Sequence, residues 1–118
     1  MSRPKTIILD IDGTLVEHSP PNIAQQPTHS MKLLDGTIEK LIEWDRLGYN
    51  IILLTGRRES LRTETERQLY EVGIFYDQLI MGVGGGCRIL INDKKPTGEV
   101  TALSYNPERN EGIKNIDI

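Results

Sequence analysis

A short apolar run that ends in two closely spaced aspartates constrains the fold of this chain most strongly. Ile7 to Leu9 predicts a buried strand of a parallel sheet. Asp10 ends this run and Asp12 follows it, and alternate residues of an extended chain share a face, so the two carboxylates can converge. Gly13 then permits a sharp turn or the close approach of a ligand. Clustered carboxylates beside a turn favour a hard cation such as Mg²⁺ as their partner, although Asp-Gly is also a common turn dipeptide with no further role.

Length and composition predict a single domain over residues 1–118. A hydrophobic content of 37% and a charged content of 26% are typical of a water-soluble globular protein. The net charge of -3 gives no electrostatic footprint for nucleic acid, so we expect no nucleic-acid partner. The single cysteine, Cys87, excludes an intramolecular disulfide and a cysteine-rich zinc site. We expect a cytoplasmic protein without a signal peptide or membrane span.

Apolar runs alternate with segments of helical spacing along the chain. This alternation predicts an α/β fold with a mostly parallel central sheet and helices on its faces. The predicted strands are Lys5–Leu9, Tyr49–Leu54, Gln78–Met81, Arg88–Ile91 and Val100–Tyr105, and the predicted long helices are Leu34–Leu47 and Glu59–Val72. The proline-containing segment 16–30 predicts a loop that folds over the end of the first strand.

Polar residues follow three of the predicted strands at the point where each strand ends. They are Asp10 with Asp12, Thr55 with Arg57, and Asn92 with Asp93. In open α/β sheets, ligands bind outside the carboxyl ends of the strands. The sequence therefore predicts an active site at this edge of the sheet.

These groups suit phosphoryl transfer. Asp10 and Asp93, with a backbone carbonyl near Asp12, can hold Mg²⁺ through oxygen ligands. A carboxylate such as Asp10 can act as a nucleophile and form an aspartyl-phosphate, and Asp12 can protonate the leaving oxygen and then deprotonate water. The Thr55 hydroxyl can donate to a phosphoryl oxygen, and free backbone N–H groups at Gly13 and Gly56 can hold others.

The segment Asp10-Ile11-Asp12-Gly13-Thr14-Leu15 resembles the first motif of the haloacid dehalogenase superfamily. Leu54-Thr55-Gly56-Arg57 is similar to the second motif, and Asn92-Asp93 is similar to the acidic motif that completes the Mg²⁺ site. The resemblance implies a three-layer Rossmann-like fold and a Mg²⁺-dependent phosphatase, with Asp10 as nucleophile, Asp12 as acid/base and Thr14 at the phosphate. Because the chain is short, it resembles the class without an inserted cap domain.

Two departures from the family pattern affect the predicted site. The family carries a lysine between its second and acidic motifs, whereas this chain has none between Arg57 and Asp93. Arg88 is one replacement, Lys94 or Lys95 is another, and an ordinary surface role for Arg88 is the alternative. Asn92 also stands where many relatives have an acid, which would weaken Mg²⁺ binding.

The sequence therefore predicts a Mg²⁺-dependent phosphomonoester hydrolase with a small phosphorylated substrate, for which a sugar phosphate is one candidate. Arg57 lies near the predicted site mouth, where it would bind a second anionic group of the substrate, or remain solvated. A homo-oligomeric neighbour is one way to cover an open site. The alternative function is a binding or regulatory module of the same fold with weakened catalysis, which the two departures motivate.

Overall fold

The computed structural model describes residues 3–24 and 26–118 and contains one parallel sheet. Its strands are β1 (Thr6–Asp10), β2 (Asn50–Leu54) and β3 (Gln78–Ile80), in the spatial order β1-β2-β3. Asp10 at the end of β1 lies opposite Leu54 at the end of β2. This register brings Asp10 next to the residues that follow β2, as the sequence predicts.

Three α-helices accompany the sheet in the described part of the chain: α1 (Pro21–Ala24), α2 (Thr37–Arg46) and α3 (Arg62–Glu71). A 3-10 turn over Glu59–Leu61 leads into α3, so the second predicted helix has a tighter first turn. α1 gives the predicted loop 16–30 one helical turn, and position 25 of that loop lies outside the described residues. None of these helices has the length and apolar character that crossing a bilayer requires.

One face of the sheet carries the hydrophobic core. The cluster combines alternate strand residues with side chains from α2 and α3, among them Ile7, Leu9, Ile51, Leu53, Leu79, Trp44 and Leu69. On the other face Ile8 is 48% exposed and Ile80 is 43% exposed. The α/β class and the parallel sheet are confirmed, whereas the three-layer arrangement and the absence of a cap stay predictions.

The fourth and fifth predicted strands are not formed. Residues 88–91 and 100–105 lie outside the sheet, and Ile89 and Ile91 are 80% and 91% exposed. A turn closed by the Gly98 N–H donating to the Lys95 carbonyl at 2.8 Å joins the two segments. An apolar run of three residues forms a strand only when it can pair with the edge of a sheet, and the local sequence does not show whether such an edge is nearby.

The C-terminal segment folds back onto the body of the protein. Ile113 is 1% exposed within the core, and Gly112 packs against Leu34. The backbone N–H of Asn110 donates to the carbonyl of Gly13 at 2.8 Å. The tail therefore contacts the turn that carries the predicted catalytic aspartates.

Candidate active site

Asp10 lies at the end of β1 between a hydroxyl and a guanidinium. The Thr14 hydroxyl donates to Asp10 Oδ2 at 3.3 Å, and Arg88 Nη2 lies 3.9 Å from Asp10 Oδ1. Burial raises the pKa of the Asp10 carboxyl, while Arg88 and the Thr14 hydrogen bond oppose that rise. The negative charge of Asp12 adds to the rise in the pKa of Asp10.

Asp12 is held by Arg57 through two parallel hydrogen bonds. Arg57 Nε donates to Asp12 Oδ2 at 3.0 Å and Arg57 Nη2 donates to Asp12 Oδ1 at 2.9 Å. Only 10% of the Arg57 side chain and 21% of the Asp12 side chain are exposed. This bidentate geometry fixes the plane and the position of the Asp12 carboxylate.

Two buried residues of α3 complete the surroundings of Arg57. Arg57 Nη1 donates to Gln68 Oε1 at 2.7 Å and to Thr65 Oγ1 at 3.4 Å. The Gln68 side chain is fully buried, and its Nε2 donates to the carbonyl of Ala24 in α1 at 3.1 Å. A chain of hydrogen bonds thus connects Asp12 to the segment that follows the first strand.

Arg57 therefore occupies a different place from the one that the sequence predicts. The sequence predicts that it either binds a second anionic group of the substrate or remains solvated, whereas in the structure its guanidinium contacts Asp12, Gln68 and Thr65. The physical reason is the short path across the β1–β2 edge, which lets the arginine reach the carboxylate next to it. Gln68 was not predicted from the sequence, although its position three residues after Thr65 places it on the inner face of α3.

The turn after Asp12 satisfies its own backbone. Gly13 has a φ of 89°, which favours glycine, and its N–H donates to the carbonyl of Val16 at 2.8 Å. The N–H groups of Thr14 and Leu15 donate to the carbonyl of Ile11 at 3.2 and 2.9 Å. The expectation of a free N–H at Gly13 for a phosphate is not met in this structure, because the turn closes on itself.

Thr55 and Gly56 lie beside the glycine-rich segment 82–86. The Thr55 hydroxyl oxygen accepts a hydrogen bond from the Arg57 N–H at 3.1 Å, so its own proton remains available for donation. A Cβ on Gly56 would lie 3.3 Å from the carbonyl oxygen of Gly84. The close approach of these two backbones explains the glycine at position 56.

The structure separates the three candidate replacements for the family lysine. Arg88 is the one that lies against Asp10. Lys95 instead pairs with Glu99 at 3.4 Å on the exposed turn. Lys94 is exposed on the same turn and makes no ion pair with Asp10 among the described residues. Among the three candidates, Arg88 therefore brings a positive charge to Asp10, the predicted nucleophile.

The carboxylates predicted to hold Mg²⁺ are only partly brought together. Asp10 and Asp12 share the end of β1, whereas Asn92 and Asp93 lie in the exposed segment, where Asn92 Nδ2 donates to Thr101 Oγ1 at 2.7 Å. Thr101 Oγ1 also donates to the Asp93 carbonyl. Over residues 3–24 and 26–118 no three histidine, cysteine or acidic side chains are grouped to hold a metal ion. Asp10 offers a hard oxygen ligand, but both Asp12 carboxylate oxygens face Arg57.

Comparison with known proteins gives matches among solved structures. Two structures of the Pnkp1/Rnl/Hen1 complex, one of them described as an RNA repair complex, contain a similar chain. In the first, identity is 36% over 66% of this chain and the TM-score is 0.55; in the second, identity is 34% over 75% and the TM-score is 0.58. The match covers 25% and 31% of those chains, so this chain spans less than a third of their length.

A crystal structure of an MCSG target from Vibrio cholerae shares the fold. It is 22% identical over 79% of this chain and 85% of its own, with a TM-score of 0.53. No protein-family model matches the chain, and no curated protein matches it. The likeness in fold accompanies a strand-end Asp10-Ile11-Asp12-Gly13-Thr14 motif and a Thr55-Gly56-Arg57 motif on the neighbouring strand, and on these grounds the chain is a haloacid dehalogenase-like protein.

Proposed function

We propose that this protein is a phosphomonoester hydrolase that acts through an aspartyl-phosphate on Asp10. The observation that carries the proposal is the pairing of two adjacent carboxylates with two different environments. Asp10 faces Arg88 and the Thr14 hydroxyl, whereas Asp12 is fixed in position by Arg57. A nucleophile and an acid/base need different protonation behaviour, and two titratable groups with distinct surroundings can provide it.

The proposed reaction has two steps. An Asp10 carboxylate oxygen attacks phosphorus and the bond from phosphorus to the ester oxygen breaks. Asp12, protonated and released from one of its two Arg57 contacts, gives its proton to the departing alcohol. Water then attacks the phosphorus of the aspartyl-phosphate, Asp12 takes a proton from that water, and inorganic phosphate leaves with the Asp10 carboxylate restored. Arg88 offsets charge at Asp10, and the Thr55 hydroxyl donates to a phosphoryl oxygen.

Mg²⁺ is the proposed cofactor, and it would supply charge neutralisation between the nucleophile and the phosphoryl group. Asp10 and the backbone beside Asp12 are the groups at the strand end that would hold it. Asp93 remains a proposed further ligand on the grounds of the family resemblance. Asp93 lies in the exposed segment, so its contribution to Mg²⁺ binding is tested by measuring the Kd for Mg²⁺.

Two substrate classes are candidates. A sugar phosphate is a candidate because the proposed reacting groups, Asp10, Asp12 and Thr55, suit a small phosphomonoester. The similarity to chains of an RNA repair complex favours a phosphorylated RNA end as the substrate. The acidic net charge favours the opposite expectation, that the protein binds no nucleic acid. The substrate is therefore the first variable in the test.

A second candidate function is a phosphate-binding or regulatory module with weakened catalysis. The observation that favours it is the separation of Asp93 from Asp10, which leaves two carboxylates at the strand end. Such a module would bind phosphate or Mg²⁺ without releasing phosphate from an ester.

The test is release of inorganic phosphate from sugar phosphates and from 3′- and 5′-phosphorylated oligoribonucleotides, with Mg²⁺ or with EDTA. The hydrolase predicts Mg²⁺-dependent release by the wild type and none by Asp10→Asn. Folding of both proteins is checked by the fluorescence of the single, buried Trp44. A folded wild type that binds Mg²⁺ and phosphate but releases none from any ester would support the module and contradict the hydrolase.

A further inference from the structure

Two of the cations near the site have assigned partners, and Arg109 is a cation beside it for which the described residues provide none. Arg57 is bound by Asp12 and Gln68, and Arg88 lies against Asp10. Arg109 is exposed, and among the described residues it has no carboxylate within ion-pair distance and no side-chain hydrogen bond. A guanidinium that no protein group neutralises is available to an anionic ligand.

Arg109 lies directly on the catalytic turn. A Cβ built on Gly13 would be 3.3 Å from Arg109 Cγ, so the arginine stem packs on the residue that follows Asp12. Because the turn contains Gly13 without a side chain, the stem can approach its backbone. This contact places the Arg109 stem next to the turn, so its charged end lies within one side-chain length of Gly13.

The segment that carries Arg109 is fixed at several points. The Asn110 N–H donates to the Gly13 carbonyl, and Asn110 Oδ1 accepts from the His18 N–H, both at 2.8 Å. Asn110 has a φ of 66°, which asparagine tolerates better than most residues. Next along the chain, Ile113 anchors the segment in the core. These contacts hold the Arg109 backbone in one place relative to both ends of the turn.

From this placement we infer that Arg109 is a specificity-determining residue that binds a second anionic group of the substrate. The ligand class is a small phosphorylated molecule with a further phosphate or carboxylate. The inference rests on the proposed hydrolase and assigns to Arg109 the role that the sequence assigns to Arg57. Arg109 touches the substrate at a distance from the reacting atoms, so its loss affects binding more than the chemical step.

The test compares ligands with one and with two phosphates on the same sugar. Glucose 1-phosphate with glucose 1,6-bisphosphate, and fructose 6-phosphate with fructose 1,6-bisphosphate, are titrated into Asp10→Asn protein by calorimetry. Arg109→Met is then added to this protein, because methionine keeps an apolar stem on Gly13 and removes the charge. Arg109→Lys tests rescue by charge, and Arg46→Met is the control, since Arg46 is an exposed arginine at the end of α2, before β2 begins.

We expect Arg109→Met to raise the Kd of a bisphosphate roughly tenfold, which is the low end for a charge-assisted contact, and to leave the Kd of the matching monophosphate unchanged. Arg109→Lys should recover most of the affinity, and Arg46→Met should change neither value. Equal effects on both ligands, or no effect on either, would overturn the inference. So would a selective loss in Arg58→Met instead, because Arg58 is another exposed arginine that follows β2.

Steady-state kinetics of the Asp10-containing protein separate the two proposals. If it releases phosphate and Arg109→Met leaves the KM for bisphosphates unchanged, the hydrolase stands and the role of Arg109 is refuted. If no ester is hydrolysed but the calorimetric loss is selective for bisphosphates, the anion site stands and the hydrolase is refuted.

Discussion

Replacement of Gln68 by methionine tests the network that holds Asp12. The side chain is fully buried, and each of its polar atoms has one hydrogen bond, to Arg57 and to the Ala24 carbonyl. Methionine has a similar volume and length, so the variant removes hydrogen bonds with little change in packing. Arg57 would then keep Asp12 and the longer contact to Thr65.

The expected loss of stability follows from the two bonds. The bond from Arg57 is charge-assisted and contributes about 1.5–3 kcal/mol, and a buried carbonyl left without its donor costs about 1 kcal/mol. The free energy of unfolding should therefore fall by roughly 2–4 kcal/mol. At a typical urea m-value for a small domain, this lowers the denaturation midpoint by roughly 1–2 M.

Urea denaturation is followed through Trp44, which is buried in the core and is the single tryptophan. Gln78→Met is the matched control, because Gln78 is exposed on β3 and should change stability by less than about 0.5 kcal/mol. A Gln68→Met midpoint within error of the Gln78→Met midpoint would refute the claim that these hydrogen bonds stabilise the fold.

Two further predictions concern Asp10 and the turn at Gly13. Burial raises the pKa of Asp10, so the folded protein binds the carboxyl proton more tightly than the unfolded chain does. The protonated Asp10 carboxyl therefore contributes its full stability below the ordinary pKa of an aspartate. This contribution is lost as the pH rises through the raised pKa of the folded protein. In EDTA, Asp10→Asn should accordingly gain stability over the wild type as the pH increases from acid to neutral, as measured by urea denaturation; a difference that does not vary with pH would contradict this. Gly13→Ala should destabilise by about 1–3 kcal/mol, because alanine at a φ of 89° is strained and its Cβ would press on Arg109. Gly98→Ala, at a φ of 85° with open space around it, is the control that measures conformational strain alone, and a smaller effect at Gly13 than at Gly98 would contradict the close packing of the turn.

The elements that sequence patterns predict well are those with strong local signals. The first two strands are continuous apolar runs. The observed β1 begins and ends one residue later than predicted, and the observed β2 begins one residue later. The strand-end position of Asp10 beside β2 also follows from the pattern, because parallel pairing places the carboxyl ends together.

Long-range side-chain contacts were beyond the reach of those patterns. The local sequence does not distinguish an unpaired Arg57 from one that is hydrogen-bonded to Asp12, because the two residues are 45 positions apart. The hydrogen bond from Asn110 to Gly13 likewise depends on the burial of Ile113 and on the positive φ of Asn110. The polar sequence of the C-terminal segment predicts neither of these features. The short run at 88–91 shows the opposite error, in which β propensity alone predicted a strand that no sheet edge receives.

Capture of the phosphoryl group on Asp10 tests the proposed mechanism most directly. The Asp12→Asn protein, which lacks the group proposed to activate water, is mixed with p-nitrophenyl phosphate and Mg²⁺, quenched in acid and digested for mass spectrometry. The proposed mechanism predicts a phosphoryl adduct on Asp10 that disappears with hydroxylamine and is absent from Asp10→Asn. Release of p-nitrophenol by wild-type protein without any adduct in Asp12→Asn, or an adduct on a different residue, would contradict it.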